Sequence, residues 1–596
     1  MKKICVIDSG YRADDKNIKS DQIERAITVK QVNNEFLVSE GAEDNIGHGT
    51  AILSIIQQGT PYDNVYIVLK IFDNELSCDE ELLIFALEYV CKNIECDLVN
   101  LSLGITCSKN KKQLLKICRK IYEKGIIIVS AFDNDGAVSY PAAFPYVIGV
   151  DSNAVCKSRN DIAFVENSIV NIFAFGRMQR ISQFYTKYMY VSGASVACAH
   201  ITRILSSTDA KTFSEAISKL YSCAKYVFYK NIKQPTSDIP TPLIQNIKKA
   251  ILFPYNKEMH SVVKFDNMLS FAIHGVYDTT KSGLVGRKIY SYDGEREYVI
   301  NNWQNIMWEQ DFDTVILGHL GEYSKLINED LLYKVLTFSK QFNKKVYCFD
   351  TAPTFSQEFK SVPIDWPHKE FLQDKFGKLY EIDCPILGIF GTGSKQGKYT
   401  LQLILRKLFL QNGYKVGQIG SEPSSLLFGM DDMFHFGYNE KFELNDIEFI
   451  EALNDSLNKI QEKDVDIIIV GCQSGTIPYS LVNMKYATCK QISFLTGVNP
   501  DRVVLCINLF DDLDYIGRTI SFIESLGACK VIAAVLFPMT FSGDYAMIGT
   551  PSKHESLENI CLKKNEIMQT YNIPCFELGI EEEMQDLFMV IINSFM

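Results

Sequence analysis

Met1-Lys2-Lys3-Ile4-Cys5-Val6-Ile7-Asp8-Ser9-Gly10 opens the chain with four apolar residues that stop on an acid. A secretory signal has a longer apolar stretch and a small-residue cleavage site. The run reads instead as the first buried strand of a folded domain. An acid at a strand end is held rigidly, and the glycine behind it permits a sharp turn. Moving outward, Val65–Lys70, Leu98–Leu101, Gly125–Ala131 and Val147–Val150 read as further short strands. Helical patterns over Glu80–Asn93 and Lys111–Glu123 separate them. Apolar strands that alternate with helices predict an α/β fold, a mostly parallel sheet covered on both faces.

Composition narrows the function classes. The chain has 596 residues, 47% hydrophobic and 22% charged, as ordinary globular protein does. Length alone sets a prior of about four domains. With 60 basic and 72 acidic residues the net charge is −12, which argues against a nucleic-acid partner. No apolar run is long enough to predict a membrane span. The 17 cysteines are odd in number and form no CxxC pair, and with the eight histidines they show no metal-ligand cadence. Scattered thiols such as Cys5, Cys91, Cys472 and Cys506 in apolar contexts predict reduced, packed cysteines and a cytoplasmic location. Metal content and oligomeric state stay open.

Four segments are expected: an α/β unit over 1–210, a helical connector over 211–262, a small Rossmann-like α/β domain over 263–380, and a P-loop-like α/β domain over 381–596. The polar, proline-bearing stretch Gln234–Pro242 falls in the connector. Thr314–Gly318 and Lys345–Phe349 are strands of the third segment; Ile386–Phe390, Asp466–Val470, Val503–Asn508 and Lys530–Leu536 are strands of the fourth.

Three polar residues of the first segment sit in contexts suited to nucleophilic catalysis. Asp8 ends a strand. His48, in Gly47-His48-Gly49-Thr50-Ala51, starts a helix among small neighbours. Ser195, in Ser192-Gly193-Ala194-Ser195-Val196-Ala197-Cys198-Ala199-His200, starts another. A serine hydroxyl needs a base to remove its proton, and that base needs an acid to fix its tautomer. Asn134, in Ala131-Phe132-Asp133-Asn134-Asp135-Gly136, follows a buried strand and offers an amide donor to an oxyanion. His200 and Cys198 read as packing residues.

Together these segments resemble the catalytic domain of the subtilisin-like serine proteases. The resemblance is carried by Asp8-Ser9-Gly10, Gly47-His48-Gly49-Thr50, Val99-Asn100-Leu101-Ser102-Leu103-Gly104, Asn134 with Gly136, Tyr140-Pro141-Ala142 and Gly193-Ala194-Ser195-Val196-Ala197, in the family's order. It implies a triad of Asp8, His48 and Ser195, an oxyanion donor in Asn134, and a substrate-pairing edge at Ser102, Leu103 and Gly104. The family usually has Thr, Met, Ser and Pro where this chain has Ala194, Val196, Cys198 and Ala199. Asp133 replaces the glycine that normally precedes the amide donor. The nearness of Asp8 to the first residue predicts an enzyme that matures without an N-terminal prodomain. A peptide or protein substrate follows, such as the precursor of a modified natural product, with no cofactor required for hydrolysis.

In the fourth segment, Gly391-Thr392-Gly393-Ser394-Lys395-Gln396-Gly397-Lys398-Tyr399-Thr400 follows the Ile386–Phe390 strand and precedes a helical pattern over Leu401–Leu410. Gly391, Thr392, Gly393, Ser394, Gly397 and Lys398 form a phosphate cradle, and Thr400 suits Mg²⁺. Gly391 stands one place early for the common P-loop, and Tyr399 separates Lys398 from Thr400. That spacing resembles the dethiobiotin-synthetase-like branch of P-loop proteins. Residues about 260–596 resemble, more closely, a two-domain family of unknown function whose members have been linked to N-acyl transfer onto D-glutamate. The resemblance implies ATP, acyl-coenzyme A or a phosphorylated substrate as ligand. An acid expected after the Asp466–Val470 strand is replaced by Gly471, which argues against ATP hydrolysis. Asp431 and Asp432 with His435 read as a solvated loop, and His274, His319 and His368 as isolated histidines. Two functions compete: a serine endopeptidase with a ligand-binding C-terminal module, and an acyl- or phosphoryl-transfer protein with a protease-like docking scaffold.

Overall fold

Alternation along β1 (Lys3–Asp8) explains the first sheet. Ile4 and Val6 enter one apolar core, and Cys5 and Ile7 enter another. A strand whose successive side chains are buried on opposite faces must lie inside a sheet that is covered twice. The structure is a computed structural model and describes residues 1–33, 35–181, 189–229, 246–320, 324, 329–350, 359, 362, 364–365, 375–434, 444–480, 482, 489–541 and 552–596.

The elements of this part are β2 (Ile23–Val32), β3 (Glu35–Glu40), α1 (His48–Gln57), β4 (Val65–Lys70), α2 (Glu80–Asn93), β5 (Leu98–Leu101), α3 (Lys111–Glu123), β6 (Ile127–Ala131), β7 (Val147–Ser152), β8 (Ile162–Val165), β9 (Ile172–Ala174), β10 (Gln179–Ile181), β11 (Met189–Val191), α4 (Ala194–Ser206), α5 (Phe213–Cys223) and β12 (Tyr226–Phe228). Ten of the strands form one sheet in the order β12-β8-β9-β7-β6-β5-β1-β4-β2-β3. Neighbours from β4 through β1, β5 and β6 to β7 are parallel. Helices α1 and α4 pack on the Ile4/Val6 face, and α2 and α3 on the other. Parallel pairing brings the C-terminal ends of β1, β5 and β6 to one edge. The residues that follow these ends are Ser9, Ser102 and Phe132.

The chain forms two compact units: 1–233 with 372–381, and 234–371 with 382–596. The second contains two seven-stranded sheets. One is built from β13 (Lys249–Phe253), β14 (Ala272–Asp278), β15 (Lys288–Tyr290), β16 (Glu297–Asn302), β17 (Thr314–Leu317), β18 (Lys345–Cys348) and β19 (Ile364–Asp365), in the order β15-β16-β14-β13-β17-β18-β19. The other is built from β20 (Ile386–Gly391), β21 (Val416–Gly420), β22 (Asp432–Met433), β23 (Ile467–Gly471), β24 (Arg502–Asn508), β25 (Lys530–Phe537) and strand Cys575–Glu577, in the order β22-β21-β23-β20-β24-β25 and then Cys575–Glu577. All neighbours in that second sheet are parallel. One apolar cluster, including Leu252, Tyr347, Leu387 and Phe409, joins the cores of both sheets.

The stretch read as a connector does more than connect. Its α5 and β12 belong with the first sheet, and its Ala250-Ile251-Leu252-Phe253 run is β13, the strand from which the β15–β19 sheet spreads to both sides. Gln234–Pro242 lies outside the described residues. A stretch of the expected third segment, residues 372–381, groups with the first unit.

Candidate functional site

Asp8 is fully buried at the end of β1. Its Oδ1 accepts from the Ser9 N–H at 2.7 Å and pairs with His48 Nδ1 at 2.8 Å. Its Oδ2 is buried without a hydrogen-bond partner among the described residues. Two glycines permit this approach. A Cβ on Gly49 would run into the Gly10 carbonyl oxygen, and one on Gly10 into that of Ala42. The turn into α1 is then tied down by Asp44, which the sequence reading passed over. Asp44 accepts from the N–H groups of Ile46, Gly47 and Thr50 and from the hydroxyls of Ser9 and Thr50. The Ser9 hydroxyl in turn accepts from the Gly49 N–H at 2.8 Å. Burial opposes ionisation of Asp44, but hydrogen bonds from Thr50, Gly47 and Ser9 outweigh it and lower its pKa. Burial likewise pulls His48 down, while the carboxylates of Asp8 and, to a lesser extent, Asp44 push it up, and the net shift is upward.

Ser195 is the second residue of α4, 9% exposed. The helix is fixed to β5 through a buried polar chain. Ser102 Oγ donates to the Ser195 carbonyl at 3.1 Å, Asn100 Nδ2 to Ser102 Oγ at 3.0 Å, and Thr202 Oγ1 to Asn100 Oδ1 at 2.8 Å. Helices α1 and α4 pack directly on each other. Gly193 precedes α4 with φ +112°, and the Asn134 side chain occupies the space a Cβ there would need. Asn134 Oδ1 accepts from the Ala194 N–H at 2.8 Å. With its oxygen engaged, the exposed Asn134 has its Nδ2 as the donor end. Asp133 caps its own turn: its Oδ2 accepts from the Asp135 N–H, and its N–H donates to Ser139 Oγ, both at 2.8 Å. That accounts for an acid where a glycine is usual. Leu103 is half-buried, its carbonyl accepting from Ser130 Oγ at 3.3 Å, and Gly104 is exposed. His200 is buried against Gln179, and burial lowers its pKa to about 3, helped by Arg203 and Arg159. Burial raises the Cys198 thiol. Neither is a free nucleophile or base.

In the second unit, Gly391 is the last residue of β20 and Lys398 the first of helix Lys398–Gln411. Lys398 Nζ reaches back to the Gly393 carbonyl at 2.5 Å. Gln396 folds into the loop: its Oε1 accepts from the Gly393 N–H at 2.8 Å and its Nε2 donates to Thr392 Oγ1 at 2.6 Å. Thr392 Oγ1 donates to Asp511, whose Oδ2 also accepts from the Asn508 N–H at 2.7 Å. Burial raises the Asp511 pKa against the effect of these hydrogen bonds and of Lys563. Gly397 has φ +75°, with no room for a Cβ beside Leu578. Ser394 is exposed and Thr400 half-buried. A Cβ on Gly471 would collide with the Gln402 amide, so the place expected for an acid is filled from the helix. The acid that does meet the loop, Asp511, follows β24 and was missed because nothing near it in sequence marks it.

Asp431 pairs with Lys463 and the Gln418 N–H, and Asp432 accepts from Ser456; both are structural anchors. His319, expected to be isolated, pairs through Nδ1 with Asp350 Oδ1 at 2.9 Å. His274 meets Gln310 at 2.9 Å. His368 and His435 lie outside the described residues. Among the described residues, no group of three or more His, Cys, Asp or Glu could hold a metal ion, and no helix is long and apolar enough to cross a membrane.

Comparison with known proteins agrees with this division. Residues 2–212 match the subtilase family model, peptidase S8, and residues 375–510 match the P-loop domain model of a domain of unknown function, DUF1611. The minor extracellular protease Epr of Bacillus subtilis (strain 168) is 27% identical over 209 residues, 33% of this chain. The chain spans 30% of that relative's length. A crystal structure of a DUF1611 family protein from Anabaena variabilis ATCC 29413 aligns with TM-score 0.43 and 12% identity over 58% of this chain and all of its own. That of a cold-adapted subtilisin-like serine proteinase aligns with TM-score 0.31 and 19% identity over 37% of this chain and 81% of its own. By the two family models, the chain joins an N-terminal segment similar to the subtilases to a C-terminal segment similar to the DUF1611 P-loop domain.

Proposed function

We propose that this protein is a serine endopeptidase that acts through a Ser195 acyl-enzyme. The observation that carries the reading is the Asp8–His48 hydrogen bond at 2.8 Å, with α4 held by Asn134 at its first N–H. In the proposed reaction Ser195 Oγ attacks the scissile carbonyl as His48 takes its proton. Asp8 holds the imidazole tautomer and stabilises the imidazolium. Asn134 Nδ2 and the Ser195 N–H donate to the oxyanion, and His48 returns the proton to the leaving amine. Water, deprotonated by the same base, then releases the acid. Ser102 to Gly104 would pair with the substrate backbone. Hydrolysis by these groups needs no cofactor.

The substrate we propose is a peptide or protein of the cytoplasm, with leader removal from a modified precursor as the preferred case. Cysteines such as Cys5, Cys118 and Cys506 are packed in apolar cores, which suits reduced thiols and a reducing compartment. For the second unit we propose a phosphate-bearing ligand at 391–400, ATP or an acyl-coenzyme A. Lys398 and the loop N–H groups suit phosphate oxygens once Gln396 swings aside. The Gln402-filled place at Gly471 does not suit an Mg²⁺-holding acid, so we propose binding there rather than hydrolysis. Transfer chemistry in the second unit is the competing reading, favoured by Asp511 on Thr392.

Kinetics on a peptide library test the main reading. Ser195→Ala should abolish turnover, and Asn134→Ala should lower kcat by roughly 100-fold or more. Turnover that persists in Ser195→Ala would rule it out.

A further inference from the structure

Residues 375–380 belong in sequence to the stretch that matches the P-loop model, yet they fold with the first unit. There they take a seat beside the turn that carries Asn134. The Leu379 carbonyl accepts from the Val138 N–H at 2.9 Å. Lys378 Nζ pairs with Asp151 Oδ2 at 2.7 Å, and both side chains are largely buried. The same ammonium lies 5.2 Å from the centre of the Phe132 ring. Phe132 precedes Asn134 by two residues and Val138 follows it by four, so the segment grips the turn on both sides.

Its own conformation is built for that seat. Phe376 and Gly377 have φ of +56° and +80°. A bulky residue holds the left-handed region only where its surroundings impose it. Phe376 is held edge-on against Phe173 at 5.2 Å and meets Phe228 at 6.3 Å. Tyr380 shares the Lys111 ammonium with Tyr140.

We infer that residues 375–380 are positioning residues for the Asn134 oxyanion donor, so that the peptidase site is completed by a segment that begins 180 residues beyond Ser195. The inference rests on the peptidase reading. A catalytic amide displaced by about 1 Å can lose on the order of 100-fold in rate. The ion pair and the backbone hydrogen bond restrain the turn in which that amide sits.

The test uses the full chain with Lys378→Ala and Lys378→Arg, alone and in Asn134→Ala. Lys378→Ala should lower kcat by roughly 10- to 100-fold with KM changed less than about twofold, and Lys378→Arg should restore most of the rate. In Asn134→Ala the same change should cost less than about twofold, because the segment acts through that amide. An unchanged kcat in folded Lys378→Ala, or equal losses in both backgrounds, would overturn the inference. If an unpaired Asp151 prevents folding, Lys378→Met with Asp151→Asn removes both charges and is judged the same way. Hydrogen exchange at the Val138 amide gives a readout independent of turnover. It should accelerate at least about tenfold in the Lys378 variant. If wild type shows no Ser195-dependent turnover, the peptidase reading fails while faster Val138 exchange still supports the restraint; unchanged exchange overturns the inference in either case.

Discussion

His48 gains a proton more readily than an ordinary histidine, although burial opposes it, because the carboxylate of Asp8 sits on Nδ1. The proposed chemistry needs it neutral. Activity should therefore be lost as pH falls through the His48 pKa, and the acid limb of kcat/KM should have its midpoint above the ordinary 6.5. Asp8→Asn removes the charge that raises it. The midpoint should fall, and kcat should drop by about 10⁴, as in other Ser-His-Asp sites. A limb that does not move in Asp8→Asn would show that another group titrates. At this scale the sequence was legible where chemistry and backbone share a motif, as in Gly47-His48-Gly49. It was silent on Asp44, Gln396 and Asp511. Their roles are hydrogen bonds that only the fold assembles, in the last case to a threonine 119 residues away.

Two helix starts set the geometry, and each depends on a glycine in close contact. Gly193 has φ +112° and lies against the Asn134 amide. Gly193→Ala should therefore strain the backbone and displace Asn134 together. Stability in urea should fall by about 1–3 kcal/mol and kcat should fall with it. Loss of stability with an unchanged kcat in the folded fraction would separate Asn134 from that helix start. Elements flanked by clear punctuation, such as α2 and α3, could be read directly from their apolar period. β13 could not. Its four apolar residues are too few to tell strand from helix, and they precede Pro254 rather than a glycine turn. Only pairing with β14 and β17 makes them the strand from which the β15–β19 sheet spreads.

The two proposed chemistries belong to different units, and they should separate. Lys398→Ala removes the buried ammonium from the Gly391–Thr400 loop. Calorimetry should show ATP or acyl-coenzyme A binding at least about tenfold more weakly, while small-peptide turnover is unchanged. No binding by the folded wild type would leave the loop a structural turn held by Gln396. The two-unit division was partly visible in sequence, because each half carries its own strand–loop–helix motif. The return of residues 372–381 to the first unit was not, because nothing local distinguishes a strap from a linker. The central claim, an activated serine at position 195, meets its most direct test in fluorophosphonate labelling followed by peptide mapping. The account predicts one adduct on Ser195, absent in Ser195→Ala and formed far more slowly in His48→Ala. A folded wild-type protein that takes no label, or takes it equally in Ser195→Ala, would contradict it.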